Sequence, residues 1–134
     1  MSPQTWKDWH RGRDGSYMKT RSSRAAKARE FPPAERDKIF LRDAGQCIFC
    51  RKNYHMEDAT WLGKEILSIM HYVPRSKNGL GIAENGALGC QYHHEMMDNG
   101  NKGRRDEMLR IFREYLQSKY TNWNEEKLTY SKWR

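Results

Sequence analysis

The chain has 134 residues, a length that suits one domain with an appended tail. Hydrophobic residues make up 37%, and 25 Lys+Arg against 17 Asp+Glu leave a formal net charge of +8 at pH 7, so the core is small for the length and a polyanionic partner is in view. No apolar run approaches the ~20 residues of a bilayer span and no signal-peptide core is present, which sets aside membrane proteins. Three cysteines cannot pair completely, and an odd count beside clustered histidines fits a metal site in a reducing compartment better than a secreted disulfide scaffold.

In chain order, residues 1–31 read as a basic N-terminal arm. Eight of the first thirty residues are basic and three are acidic. Clustered Lys and Arg exchange counterions with phosphates, so nucleic acid is one reading and a solvated tail is the other. Trp6, Trp9 and Tyr17 lie among these charges, placed to stack on bases or to dock on the domain.

Pro32-Pro33 opens the folded part, 32–104, because proline is tolerated in a helix's first turn. The pattern predicts a helix over 34–44 stopped by Gly45, then Cys47-Ile48-Phe49-Cys50 and polar residues to Gly63. Residues 66–73 have the content of a buried strand, 74–83 read as a loop, and 90–98 as a short helix ended by Asn99-Gly100. A longer helix over 105–119 begins the C-terminal region 105–134. Met108, Ile111, Phe112, Tyr115 and Leu116 recur there at helical spacing and read as core. Trp123, Leu128, Tyr130 and Trp133 are expected to pack the end of the chain back onto the domain.

Two clusters carry chemistry. Cys47-x2-Cys50 and Cys90-x2-His93 use every cysteine, and two such pairs supply the four ligands of a tetrahedral structural Zn²⁺. Between them lie Ile69-Met70-His71-Tyr72-Val73-Pro74-Arg75-Ser76 and Asn85, and His94 directly follows His93. A histidine titrates near neutrality, so it can serve as a general base.

The run Arg42-Asp43-Ala44-Gly45-Gln46-Cys47, the His-Tyr-Val-Pro-Arg-Ser strand end, the Gly-Leu-Gly loop, Asn85 and Cys-x2-His-His stand in an order and spacing that resemble the HNH endonucleases, the ββα-metal nucleases. The resemblance covers about residues 32–100, and the region from Arg113 to Leu128 is similar to small phage-encoded members. It implies an α+β, zinc-stabilised ββα-metal domain with flanking helices. It also implies cleavage or nicking of double-stranded DNA, leaving a 5′-phosphate and a 3′-hydroxyl. His71 would then be the general base, oriented through a hydrogen bond by Asn85, which also holds the loop. His94 and Asp98, four residues apart on one helix face, would ligate a catalytic Mg²⁺, Mn²⁺ or other divalent ion. Arg75, Lys77, Arg104 and Arg105 would contact phosphates.

One departure stands out. Many members carry Asp or His just before the base, where this chain has Met70, a poor ligand for a hard cation. Either His94, Asp98, waters and the substrate phosphate hold the ion, or another acid such as Glu65 substitutes. The alternatives are a weakly active or inactive DNA-binding zinc module, or an accessory protein of phage DNA packaging acting beside the terminase. A bacterial or phage-infected cytoplasm is the expected setting.

Overall fold

The computed structural model describes residues 23–99 and 103–131. Trp6, Trp9, Tyr17, Trp133 and most of the basic arm lie outside them. The architecture is mixed α+β. A two-stranded antiparallel sheet, β1 (Leu67–His71) and β2 (Gly86–Cys90), is followed at once by α4 (Gln91–Asn99). Around this unit stand α1 (Arg24–Ala28), α2 (Pro33–Arg42), α3 (Trp61–Glu65) and α5 (Arg105–Lys119). Among the described residues, no helix is long and apolar enough to cross a membrane.

α2 starts with a proline in its first turn and ends two residues before its expected stop. Ala44 and Gly45 take φ of 55° and 67°, left-handed values that close the helix. The strand expected over 66–73 is trimmed to Leu67–His71, because Tyr72 and Val73 turn into the loop. β2 carries no strand signature. Gly86-Ala87-Leu88-Gly89-Cys90 has no β-branched or aromatic residue, and tertiary packing decides its state: all five positions are buried. Gly89 permits this close approach, since a Cβ there would sit 2.3 Å from the Met70 sulfur. α3 falls in the stretch read as polar connection, and its N-terminus is capped by the Thr60 hydroxyl accepting from Gly63 N–H at 2.9 Å. α5 spans 105–119 as its periodicity predicts. Met108, Phe112 and Leu116 are fully buried, whereas Ile111 and Tyr115 sit at the edge.

The main core joins Phe49, Met70, Ala87, Met97, Met108, Phe112 and Leu116, with Cys47 and Cys90 on one side. A second cluster holds Phe31, Ile39, Ala83 and Leu88 beneath α2. Arg42 ties the clusters together with all five guanidinium N–H donors. They reach Asp43 (2.7 and 3.2 Å), Ala83 O (2.8 Å), Gly86 O (2.6 Å) and Tyr120 Oη (3.0 Å). Asp43, itself buried, also accepts from Leu88 N–H at 2.8 Å and from the Tyr115 hydroxyl. The Arg42-Asp43 pair thus holds β2 at its first residue, Gly86, and at its middle, Leu88. Leu128 is buried, and its carbonyl accepts from Leu80 N–H at 2.8 Å. Trp123 donates to Glu84 O at 2.7 Å, so the C-terminal segment does fold back onto the domain.

Candidate metal centre and adjoining cleft

Cys47 and Cys50 lie on a turn running from residue 47 to residue 54. Ile48 N–H donates to Leu88 O at 3.0 Å and so pins this turn to β2. Asn53 and His55 adopt φ of 51° and 41°, which wraps the chain back around the turn. Cys90 ends β2 and His93 sits in the first turn of α4, so the second pair is presented by the strand-to-helix junction. The four ligand atoms all lie within 4.8 Å of one another. His93 Nδ1 is 3.7, 3.5 and 3.3 Å from the Cys47, Cys50 and Cys90 sulfurs, and the Cys50–Cys90 sulfurs are 3.6 Å apart. Bonds of about 2.3 Å to sulfur and 2.0–2.1 Å to nitrogen, in a tetrahedron, require edges of roughly 3.5–3.8 Å. These four spacings, 3.3–3.7 Å, lie close to such edges, and the group could hold a metal ion such as zinc.

Its surroundings fit as well. His93 Nε2 donates to Tyr54 O at 2.6 Å, because a carbonyl can only accept; Nδ1 therefore turns its lone pair to the sulfurs. The Cys50 and His93 N–H groups each point at a sulfur at 3.4 Å. With protein groups alone, Cys47 and Cys50 resist ionisation. The Cys90 sulfur as hydrogen-bond partner, together with burial, pushes Cys47 up to about 12, while burial and the Cys47 charge push Cys50 to about 11. Cys90 is drawn below the ordinary thiol value by its Cys47 partner. A divalent cation would supply the positive charge this donor set lacks.

On the other face of the β1–β2–α4 unit lies a cleft of about 670 Å³. His71, His94, Asp98, Arg75 and Arg105 all line it, as the sequence reading grouped them. Lys77 and Arg104 do not. Lys77 is on an exposed turn, and the Arg104 guanidinium lies 4.0 Å from the Met96 sulfur. His93 and His94 diverge as expected: His93 is buried among the thiols, and His94 faces the cleft. His94 Nδ1 is 2.9 Å from Ser68 Oγ on β1, and Nε2 is 3.1 Å from Asp98 Oδ2. His94 and Asp98 make a pair of donors. Among the described residues, only the thiol cluster gathers three or more potential ligands. Met70 is fully buried in the core, off the cleft, and Glu65 lines a separate hollow beside Cys50 and Lys64.

Asn85 corrects one expectation. Its side chain does not reach His71. Both amide hydrogens go to Val73 O (3.1 Å) and Leu80 O (2.8 Å), and its Oδ1 accepts from Val73 N–H (2.8 Å). The side-chain hydrogen bonds of this fully buried Asn run to the loop that follows His71 and hold it. His71 instead bonds the Arg29 carbonyl through Nε2 at 2.8 Å, and the Phe31 ring lies against it with centroids 4.5 Å apart. Burial, followed by the neighbouring Arg75 and His94 charges, holds His71 below its ordinary 6.5 against the opposing pull of the Arg29 carbonyl. Arg29 and Arg36 add two cations to the cleft wall. In the sequence Arg29 belongs to the basic arm, and a lone arginine such as Arg36, a lone serine such as Ser68 and a backbone carbonyl leave no signature.

No protein-family model matches the chain, and no curated protein matches it.

Proposed function

We propose that the chain is a divalent-metal-dependent DNA endonuclease of the HNH type, its fold stapled by a Cys47/Cys50/Cys90/His93 zinc ion. What carries the reading is one cleft in which a half-buried imidazole, a His–Asp pair and four arginines face the same space. A general base needs a pKa at or below the working pH, and His71 is held below the ordinary imidazole value. Its Nδ1 takes the proton of a water attacking phosphorus. Arg29, Arg36, Arg75 and Arg105 neutralise the phosphates of the strand and orient them. His94 and Asp98 would hold a Mg²⁺ or Mn²⁺ ion that completes its shell with water and supplies charge stabilisation to the pentacovalent phosphorus and the departing oxygen. Ser68 fixes the ring of His94, and Asn85 holds the loop that follows His71.

A plasmid-nicking assay with EDTA, Mg²⁺ and Mn²⁺ tests this. Conversion of supercoiled to open-circular or linear DNA with a divalent ion, and none in EDTA, is expected; no cutting with any divalent ion refutes it. One observation favours a second reading, a DNA-binding zinc module with little turnover. The residue before His71 is the core methionine Met70, which leaves the cleft with two protein donors for a catalytic ion. That module would bind DNA with a steep salt dependence and cut nothing.

A further inference from the structure

The end of the basic arm is part of the cleft. The Arg29 carbonyl accepts from His71 Nε2 at 2.8 Å. A carbonyl has no hydrogen to give, so Nε2 carries the proton of the neutral ring and Nδ1 keeps the lone pair. Phe31, buried at the same edge, packs against the imidazole.

The backbone presenting that carbonyl is fastened at three points. Gly81 N–H donates to Ala28 O at 2.8 Å. Arg29 Nη1 reaches Arg75 O at 3.4 Å and Asn78 Oδ1 at 3.3 Å. Arg36 Nε donates to Phe31 O at 3.1 Å. At the first fastening no side chain is tolerated: a Cβ on Gly81 would lie 2.1 Å from Glu30 O and 2.2 Å from its carbonyl carbon. Two of the three fastenings therefore join residues 28–30 to the loop that leaves His71, so the imidazole is gripped from the strand end and from the arm together.

We propose that residues 28–31 are a positioning element for His71, fixing its Nε2–H tautomer and so assigning Nδ1 as the proton-accepting atom. The catalytic consequence rests on the hydrolase reading above; the tautomer does not.

The test is a long-range ¹H–¹⁵N spectrum of the full-length, metal-loaded protein at a pH where the ring is neutral. His71 is assigned by the signal that vanishes in His71→Ala. The Nε2–H pattern is expected; a predominant Nδ1–H form, or an even mixture, overturns the proposal. Gly81→Ala then displaces the segment. It should shift His71 toward a tautomer mixture and lower kcat for nicking by about tenfold to a hundredfold, the scale for misplacing a catalytic group by an ångström, with KM little changed. A folded Gly81→Ala protein of normal metal content, with the parental His71 pattern and parental kcat, overturns it. Should that variant fail to fold, the parental spectrum alone still decides. An Nε2–H ring in a protein that cuts nothing supports the positioning and sinks the hydrolase; an Nδ1–H ring in an active nuclease does the reverse.

Discussion

Stripping the proposed zinc from the thiol cluster is the most informative perturbation of the fold. Structural zinc contributes an apparent ~10–16 kcal/mol at neutral pH. Whole domains are stable by only ~5–15 kcal/mol. Without the ion, the turn carrying Cys47 and Cys50 keeps the Ile48–Leu88 hydrogen bond and the burial of Ile48 and Phe49. Two such side chains contribute ~3–6 kcal/mol between them, less than the ion supplies. The Cys47 and Cys50 thiols would also keep their protons at pH 7, since they sit near 12 and 11. The stripped chain should therefore lose its cooperative melt or melt far lower. At roughly 2–8 °C per kcal/mol for small domains, even a loss of ~5 kcal/mol moves Tm by ~10 °C or more. Circular dichroism melts before and after treatment with a strong chelator, paired with metal analysis of the dialysed protein, read this directly. One tightly held zinc per chain is expected. A protein that dialyses free of metal and melts within a degree or two of the untreated sample would refute the staple.

Other outcomes follow from the same geometry. His71→Ala should lower plasmid nicking by ~10²–10⁴-fold while leaving zinc content and Tm near parental, because the ring sits at the cleft rim; parental cutting rates would show that another group is the base. Nicking should rise with pH through a midpoint below the ordinary imidazole value of 6.5, since burial favours the neutral ring that accepts the proton; a rate that climbs only above pH 7.5 contradicts this direction. Asp43→Asn removes a buried carboxylate from Arg42, Leu88 N–H and Tyr115, and leaving the guanidinium without its counter-ion should cost ~3–5 kcal/mol in denaturant melts. A change under ~1 kcal/mol would mean that Arg42 keeps its charge solvated by other means.

Legibility tracked side-chain chemistry and periodicity. α5 was readable because Met108, Phe112 and Leu116 repeat at helical spacing, and the thiol cluster because Cys-x2-Cys and Cys-x2-His have little other use together. β2 was hidden because glycine, alanine and cysteine carry no strand preference; burial against Met70 and pairing with β1 impose it. The partner of His71 was hidden for a different reason. Any residue offers a carbonyl, and only the path of the chain through Gly81 brings that of Arg29 to the ring. Asn85 stands out in the sequence, and its amide goes to Val73 and Leu80 in place of His71.

The thiol cluster and the cleft are coupled through very few residues. Cys90 ends β2 and His93 lies in the first turn of α4, so the cluster sets the angle at which helix leaves strand. His94 is the next residue, and adjacent helical side chains diverge by ~100°, so whatever holds His93 aims His94 at Ser68 and the cleft. The far end of the same strand, Gly86, pairs with His71 and gives its carbonyl to Arg42. A register slip of one residue would send His71 to the opposite face. Cys90 pairs with Leu67 and is anchored among the ligands, while Gly86 is anchored by Arg42, so β2 is pinned at both ends and the slip is blocked. Loosening the cluster should therefore blunt the cleft before the chain unfolds. In a series of ligand variants, His94 is the first cleft residue expected to lose its Ser68 contact, and nicking should fall at temperatures below each variant's melt. Variants that keep full cleavage up to the onset of melting would show that the cluster stabilises the fold without aiming the helix.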